Sequence, residues 1–200
     1  MNHYEEEAFA DGCTYVAGLD EVGRGPLAGP VVTAAVVIDK DFAIEGINDS
    51  KKLSAKKRDL LFDAIMEDAI AVQFGIIGHQ EIDEINILNA TKKAMTMAVH
   101  ALPIPPDRLL VDALRLEEIA IPQKAIVKGD AKSIAIAAAS IVAKVKRDAM
   151  MVMYDAVYPA YGFAKNKGYG TAAHIQALKQ HGPCPIHRTS FIKNIVEVKS

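Results

Sequence analysis

Three places in this 200-residue chain set carboxylates among apolar neighbours. Asp20 and Glu21 end the apolar stretch that begins at Tyr15. Asp112 follows Leu109-Leu110-Val111, and Asp130 lies between a short Val-bearing strand and an apolar helix. Acidic side chains rarely enter such surroundings unless they are paired or hold a metal. Gathered at adjacent strand ends, Asp20, Glu21, Asp112 and Asp130 would repel one another until a divalent cation neutralised them. An all-oxygen donor set suits Mg²⁺ or Mn²⁺. Two such ions about 3.5–4 Å apart activate a water and stabilise the leaving oxygen of a phosphodiester. Asp130 would gain further from the positive end of a helix starting near Ser133. Neighbours on a regular strand point to opposite faces, so Asp20 and Glu21 share a site only if the strand ends or bulges at Glu21. Gly23 and Gly25 make that feasible. The alternative is a surface Glu21, or one paired with Arg24.

The elements that must position these groups follow from periodicity and punctuation. Tyr15 to Asp20 and the Val-rich Pro30 to Ile38 read as strands, connected by the glycine-rich stretch 23–29. Ser54 is an N-cap candidate for a helix that buries Leu60, Leu61, Ile65 and Ile70. Ala71 to Ile77 is a third strand. Ile82 to Leu102 carries a helical period through Ile85, Leu88, Met95 and Val99, and Pro103, Pro105 and Pro106 end it. Leu109 to Asp112 and Ala125 to Val127 are short strands. From Ser133 the chain is small and apolar through Ala143, as a buried helix requires. Charge returns at Lys144, Lys146, Arg147 and Asp148 before Tyr158. A last helix spans Thr171 to His181, capped near Gly182. A strand meander followed by alternating strands and helices is the pattern of an α/β layer structure with a mixed sheet.

Composition narrows the class. Half the residues are hydrophobic and 24% are charged, as in an ordinary globular protein. The length suits one sizeable core, so the expectation is one domain over residues 1–200. Cys13 and Cys184 match no metal-ligand spacing and suggest a reducing, cytoplasmic setting. The polar, acidic stretch Met1 to Ala10 has no signal-peptide core, and the apolar run Ile134 to Ala143 is too short to cross a bilayer. Residues 1–120 hold 11 Lys/Arg against 21 Asp/Glu, while residues 121–200 hold 12 against 4. The basic half is either an electrostatic footprint for a polyanion or one pole of a dipolar surface.

The stretch Gly18-Leu19-Asp20-Glu21-Val22-Gly23-Arg24-Gly25-Pro26-Leu27-Ala28-Gly29-Pro30 closely resembles the signature of the ribonuclease HII family. The resemblance continues through Asp49-Ser50-Lys51-Lys52-Leu53-Ser54, Asn86 to Thr91, Val127 to Ser133, Ala137 to Val145, Lys167 to Thr171 and His187 to Phe191. These blocks occur in order along nearly the whole chain. The resemblance implies a ribonuclease H-like fold, with a mixed central β-sheet flanked by helices and a C-terminal helical region. Residues of about 160–200 would complete the substrate cleft. It implies Asp20, Glu21, Asp112 and Asp130 as catalytic, metal-binding carboxylates. The working expectation is hydrolysis with two ions, Asp20 bridging both, Glu21 and Asp112 holding one and Asp130 completing the second site.

The implied substrates are RNA/DNA hybrids and DNA duplexes containing ribonucleotides, cut 5′ of the ribonucleotide to leave 3′-hydroxyl and 5′-phosphate ends. No obligatory protein partner and no membrane are implied. Gly23-Arg24-Gly25 would recognise the 2′-hydroxyl and neighbouring phosphates, as glycines allow close backbone approach and that hydroxyl separates RNA from DNA. Tyr169 would stack on the following deoxyribose, and Lys51 would contact phosphate. Read without the resemblance, the glycine tripeptide is a tight turn, Tyr169 a packing residue and His174 an ordinary helix-surface or core histidine. His187 and Arg188 match the family's closing motif, with a structural or phosphate role expected. Two departures stand out. Ala113-Leu114 follows Asp112 where many relatives have glycine, and only about a dozen residues precede the first strand where some relatives carry a substrate-binding domain. A strand transferase of the same fold would need the acids but no 2′-hydroxyl sensor. A non-catalytic binding module would gain nothing from carboxylates that repel phosphate.

Overall fold

The structure is a computed structural model that describes residues 1–47 and 53–196. Its centre is a five-stranded sheet in the order β3-β2-β1-β4-β5. β1 (Val16–Val22), β2 (Val31–Ile38) and β3 (Ala71–Ile77) form an antiparallel meander. β4 (Arg108–Asp112) and β5 (Gln123–Ile126) extend it in parallel from the other edge of β1. The near-continuous apolar run of β2 has its cause here: every residue of that strand is buried, because helices cover both sheet faces.

Alternate residues sort between the two faces. Val16, Ala34, Val36, Ile38 and Leu110 join a core cluster with α4 (Ile134–Val157) and with Leu61 and Ile65 of α2 (Ala55–Asp68). Ala17, Leu19, Ala35, Val37, Leu109 and Val111 pack with Met95, Ala98 and Val99 of α3 (His79–His100) on the other face. The small residues of α4 let it lie directly on the sheet. A Cβ at Gly18 would stand 2.0 Å from the carbonyl carbon of Ala135, so the helix could not approach over any larger residue there.

Most elements match the sequence reading, including the mixed sheet and the caps: Ser54 accepts from the Lys57 N–H and Thr171 from the His174 N–H. The differences have local causes. Leu60 and Leu88 are 63% and 42% exposed, because the neighbouring Leu61 and the Ala90–Met95 stretch supply the buried faces instead. α3 is not one continuous helix. Asn86 takes φ +67° and its Oδ1 accepts from the N–H groups of Leu88 and Asn89, capping a second segment within the span. Val127 lies outside β5 and is exposed. An N-terminal helix, α1 (His3–Ala10), was not expected from its polar composition. It delivers the buried Glu5 to the start of α4, where its carboxylate accepts from Ser133 Oγ and the Ala135 N–H. Glu5 and the Ser133 side chain thus together cap the start of α4.

The C-terminal part is helical: α5 (Phe163–Asn166), α6 (Ala172–His181) and α7 (Thr189–Ile192). Tyr161, Phe163, Leu178, Ile186 and Ile192 form its core, which also takes in Ala28 of the glycine-rich stretch and Met151 of α4. That shared cluster seats the β1–β2 connection against the C-terminal region. Among the described residues no helix is long and apolar enough to cross a membrane.

Candidate active site

The carboxylates meet where the two halves of the sheet part. The β1–β4 ladder runs from Val16↔Arg108 to Leu19↔Val111 and stops, while β1 stays paired with β2 as far as Val22↔Val32. Asp20 and Glu21 therefore sit on a strand edge just beyond the last β4 partner, and Asp112 ends β4 beside them. One carboxylate oxygen from each of Asp20, Glu21 and Asp112 lies within 4.8 Å of the others. The requirement that β1 end or bulge at Glu21 is thus corrected. The strand is regular through Val22, and side chains leaving opposite faces converge around an edge that no neighbouring strand occupies.

Each acid is held. Asp20 is buried; its Oδ1 accepts the Glu21 N–H at 2.7 Å, and it also takes a hydrogen bond from Ser140 of α4. Asp112 Oδ1 accepts the Gly129 N–H at 2.7 Å. A Cβ on Gly129 would come within 3.2 Å of that oxygen and 2.5 Å of Ile136, so this turn admits little else. Glu21 Oε1 lies 3.4 Å from Arg24 Nη1, so pairing with Arg24 and membership of the cluster are both realised. Among the described residues, Glu21 Oε2 is buried with no hydrogen-bond partner. Asp130 is buried on the adjoining 3₁₀ turn Gly129–Ala131. Among the described residues, the group within 4.8 Å contains the other three acids and not Asp130. Ala113, the departure after Asp112, adopts φ +51°, a conformation natural to glycine, yet Asp112 still reaches the cluster.

Electrostatics points the same way as geometry. Burial pushes Asp20 well above the usual carboxylate range, and the charges of Glu21 and Asp112 push it further. The Ser140 hydroxyl and the Glu21 N–H oppose this. Burial also raises Glu21, against the pull of Arg24. A cluster that resists its own ionisation, made only of oxygen donors and with a partnerless buried oxygen, fits a divalent cation.

Beside the acids the glycine loop is pinned from beneath. Arg147 and Arg188 are both fully buried. Arg188 donates to the carbonyls of Gly23 (2.6 Å), Arg24 (3.0 Å) and Gly29 (2.9 and 3.0 Å). Arg147 donates to the carbonyls of Ala28, Pro30 and Lys167. Gly23 has φ +94°, and a Cβ there would lie 2.2 Å from Arg147 Nε. Tyr169 is 42% exposed, with Arg147 6.0 Å from its ring centroid. A Cβ on Gly25 would stand 3.9 Å from Tyr169 Cε1, so the loop and the tyrosine are neighbours. Lys51 lies outside the described residues.

A buried histidine pair supports Tyr169 in turn. The Cys184 N–H donates to His187 Nδ1, which leaves His187 Nε2–H to donate to His174 Nε2 at 3.0 Å. His174 Nδ1–H then donates to the Tyr169 carbonyl at 2.9 Å. Burial, with His174 alongside, holds His187 down at about 4. His174 is therefore a core histidine, as one plain reading had it, and Arg188 takes the structural of its two expected roles. Ser140 and Arg147 were not singled out as site residues. The available signal was their spacing: seven apart on one face of a helix, Ser140 is the one polar residue in an otherwise apolar run.

The family model described as Ribonuclease HII matches residues 17–194. The chain belongs to the ribonuclease HII family. A curated ribonuclease HII from Acetivibrio thermocellus is 58% identical over 96% of this chain and 75% of its own length. That from Lachnoclostridium phytofermentans is 61% identical over 90% of this chain and 71% of its own. The solved ribonuclease H2 of Pyrococcus horikoshii superposes with a TM-score of 0.75 at 30% identity, covering 90% of this chain and 96% of that one. The chain is accordingly a ribonuclease H, a phosphodiester hydrolase that cuts internally and acts on RNA/DNA hybrids. In this chain the acidic cluster is the candidate divalent-metal site.

Proposed function

We propose that the protein cuts the RNA strand of RNA/DNA hybrids and also cuts 5′ of single ribonucleotides embedded in duplex DNA, leaving 3′-hydroxyl and 5′-phosphate ends. The observation that carries this reading is the convergence of Asp20, Glu21 and Asp112 within 4.8 Å around a buried, partnerless Glu21 oxygen. Asp20, Glu21 and Asp112 hold divalent cation, Mn²⁺ or Mg²⁺, and Asp130 on the adjoining turn completes a second site when substrate is present. The bound cations supply an activated water and stabilise the departing 3′ oxygen. The Ser140 hydroxyl and the Glu21 N–H favour the charged form of Asp20, keeping a buried carboxylate available as a ligand. Arg24 balances part of the charge on Glu21.

Gly23, Arg24 and Gly25 receive the 2′-hydroxyl and its flanking phosphates, and Tyr169, exposed beside Gly25, stacks on the next sugar. Lys51 contacts phosphate. The chain acts as one catalytic domain whose C-terminal helices complete the cleft, in ribonucleotide removal during DNA replication and repair in the cytoplasm.

The test is product mapping on a duplex with one embedded ribonucleotide, beside an all-DNA duplex of the same sequence, in Mg²⁺, Mn²⁺ and EDTA. The expected result is a cut 5′ of the ribonucleotide with either ion, none in EDTA and none in all-DNA. Cleavage of the all-DNA duplex, or cleavage that survives EDTA, overturns the reading.

A further inference from the structure

Arg188 is an unusual residue to bury completely. A guanidinium stripped of water is normally hydrogen-bonded to a carboxylate; Asp83 acts on Arg188 through its charge, yet every hydrogen bond described for Arg188 ends on a main-chain carbonyl. Those carbonyls belong to Gly23, Arg24 and Gly29, 159 to 165 residues away in sequence. Arg147, also fully buried, takes the next carbonyls along, those of Ala28 and Pro30. A surface turn needs no such support.

The consequence lies in the geometry of the peptide unit. A trans peptide is planar and its C=O and N–H point in opposite directions. When Arg188 draws the Gly23 carbonyl inward it turns the Arg24 N–H outward. When it draws the Arg24 carbonyl inward it turns the Gly25 N–H outward. Two successive N–H groups aimed the same way form a concavity that receives an anion or a hydroxyl oxygen. The buried guanidinium beneath adds a fixed positive charge to the same side of the molecule.

We propose that Arg188 is a positioning residue that sets the two peptide planes between Gly23 and Gly25, so that the Arg24 and Gly25 N–H groups present themselves to the ribonucleotide. This rests on the reading of the loop as the ribonucleotide sensor. Arg147 has the adjoining task, holding residues 28–30 and Lys167 so that the loop and the Tyr169 segment keep their spacing. The planar fork matters as well as the charge. A lysine ammonium is a single point on a flexible stem and cannot span three carbonyls at once.

The experiment compares wild type with Arg188→Lys. Readouts are cleavage of a duplex with one ribonucleotide, Mn²⁺ binding by calorimetry, and thermal unfolding. The expected result is a KM raised roughly tenfold, about what one lost charged hydrogen bond costs, with kcat and Mn²⁺ affinity near wild type. Unchanged KM in a folded Arg188→Lys overturns the proposal. So does a KM increase matched by an equal loss of Mn²⁺ affinity, because that is general unfolding of the site.

Should Arg188→Lys fail to fold, amide NMR of the wild-type protein in EDTA, where no cut is made, decides the matter. The Arg24 and Gly25 amide resonances are expected to shift with the ribonucleotide duplex and not with the all-DNA duplex. Absence of a shift, in a protein that still prefers the ribonucleotide duplex, overturns the proposal while leaving the sensor reading standing. A wild type with no such preference overturns the sensor reading itself, and the proposal with it.

Discussion

The acidic cluster and the glycine loop beside it are built by different means. The acids stand on the sheet: Asp20 and Glu21 on β1 and Asp112 at the end of β4 are placed by strand register, which many backbone hydrogen bonds share. The glycine loop and Tyr169 lie off the sheet. A few backbone bonds tie residues 27–29 to Gly168, Ile186 and Arg188, and buried side chains do the rest: Arg147 and Arg188 from below, and a histidine pair that ends on the Tyr169 carbonyl. If the lattice carries the chemistry and the loop the recognition, as proposed, a substitution on either side should damage one and spare the other.

The comparison breaks most visibly at Asp112. Asp112→Asn should cost more cleavage than the roughly 100-fold that losing an outer-shell partner takes from a metal site. Thermal unfolding should change little, or rise, as like charge is relieved. Near wild-type cleavage in Mg²⁺ would remove Asp112 from the site. Next in size is Ser140→Ala, which withdraws the hydroxyl from Asp20. Divalent-ion affinity should fall about tenfold, the low end for an outer-shell partner, while the selectivity for ribonucleotide over all-DNA duplex stays unchanged. A selectivity change in calorimetry-matched conditions would mean the two sides are coupled.

The Tyr169 side should show its own pH response. His187 is held at about 4 against an ordinary 6.5, so its neutral form is the one that the fold favours. The stability this contributes is complete above pH 6.5 and is lost as pH falls from there to about 4, since the unfolded chain takes up the proton first. Denaturant unfolding across that range should show the decline, and His187→Gln should flatten it. An equally steep decline in the variant would assign the effect elsewhere. The smallest effect belongs to the carboxylate side. Ala113 pays for a left-handed backbone at φ +51°, so Ala113→Gly should stabilise the protein by about 1 kcal/mol, with cleavage unchanged. A destabilised variant would show that this turn carries no strain.

Much of this was legible along the chain because it is governed by short-range physics. The Val-rich run of β2, the Ser54 and Thr171 caps and the apolar start of α4 are each set by neighbours within a few residues. The exceptional placement of Asp20, Glu21 and Asp112 could be read from their apolar company, and the ordered family blocks pointed to the fold. Leu60, Leu88 and the break at Asn86 were misread for a common reason. Periodicity reports that a helix has an apolar face, and not which of two adjacent leucines will lie on it or where a side chain will recap the helix.

What the sequence determined by itself was the strands, the longer helices and the short roster of acids, since propensity, capping and polarity are properties of local chain; the short helices α1, α5 and α7 were not among them. The tertiary structure alone decided how a regular β1 could send Asp20 and Glu21 into one pocket, because that depends on where β4 stops pairing. It also decided that two arginines would be spent on main-chain carbonyls. Bonds spanning 117 to 165 residues leave no trace in spacing; they exist only once the sheet and the C-terminal helices have packed.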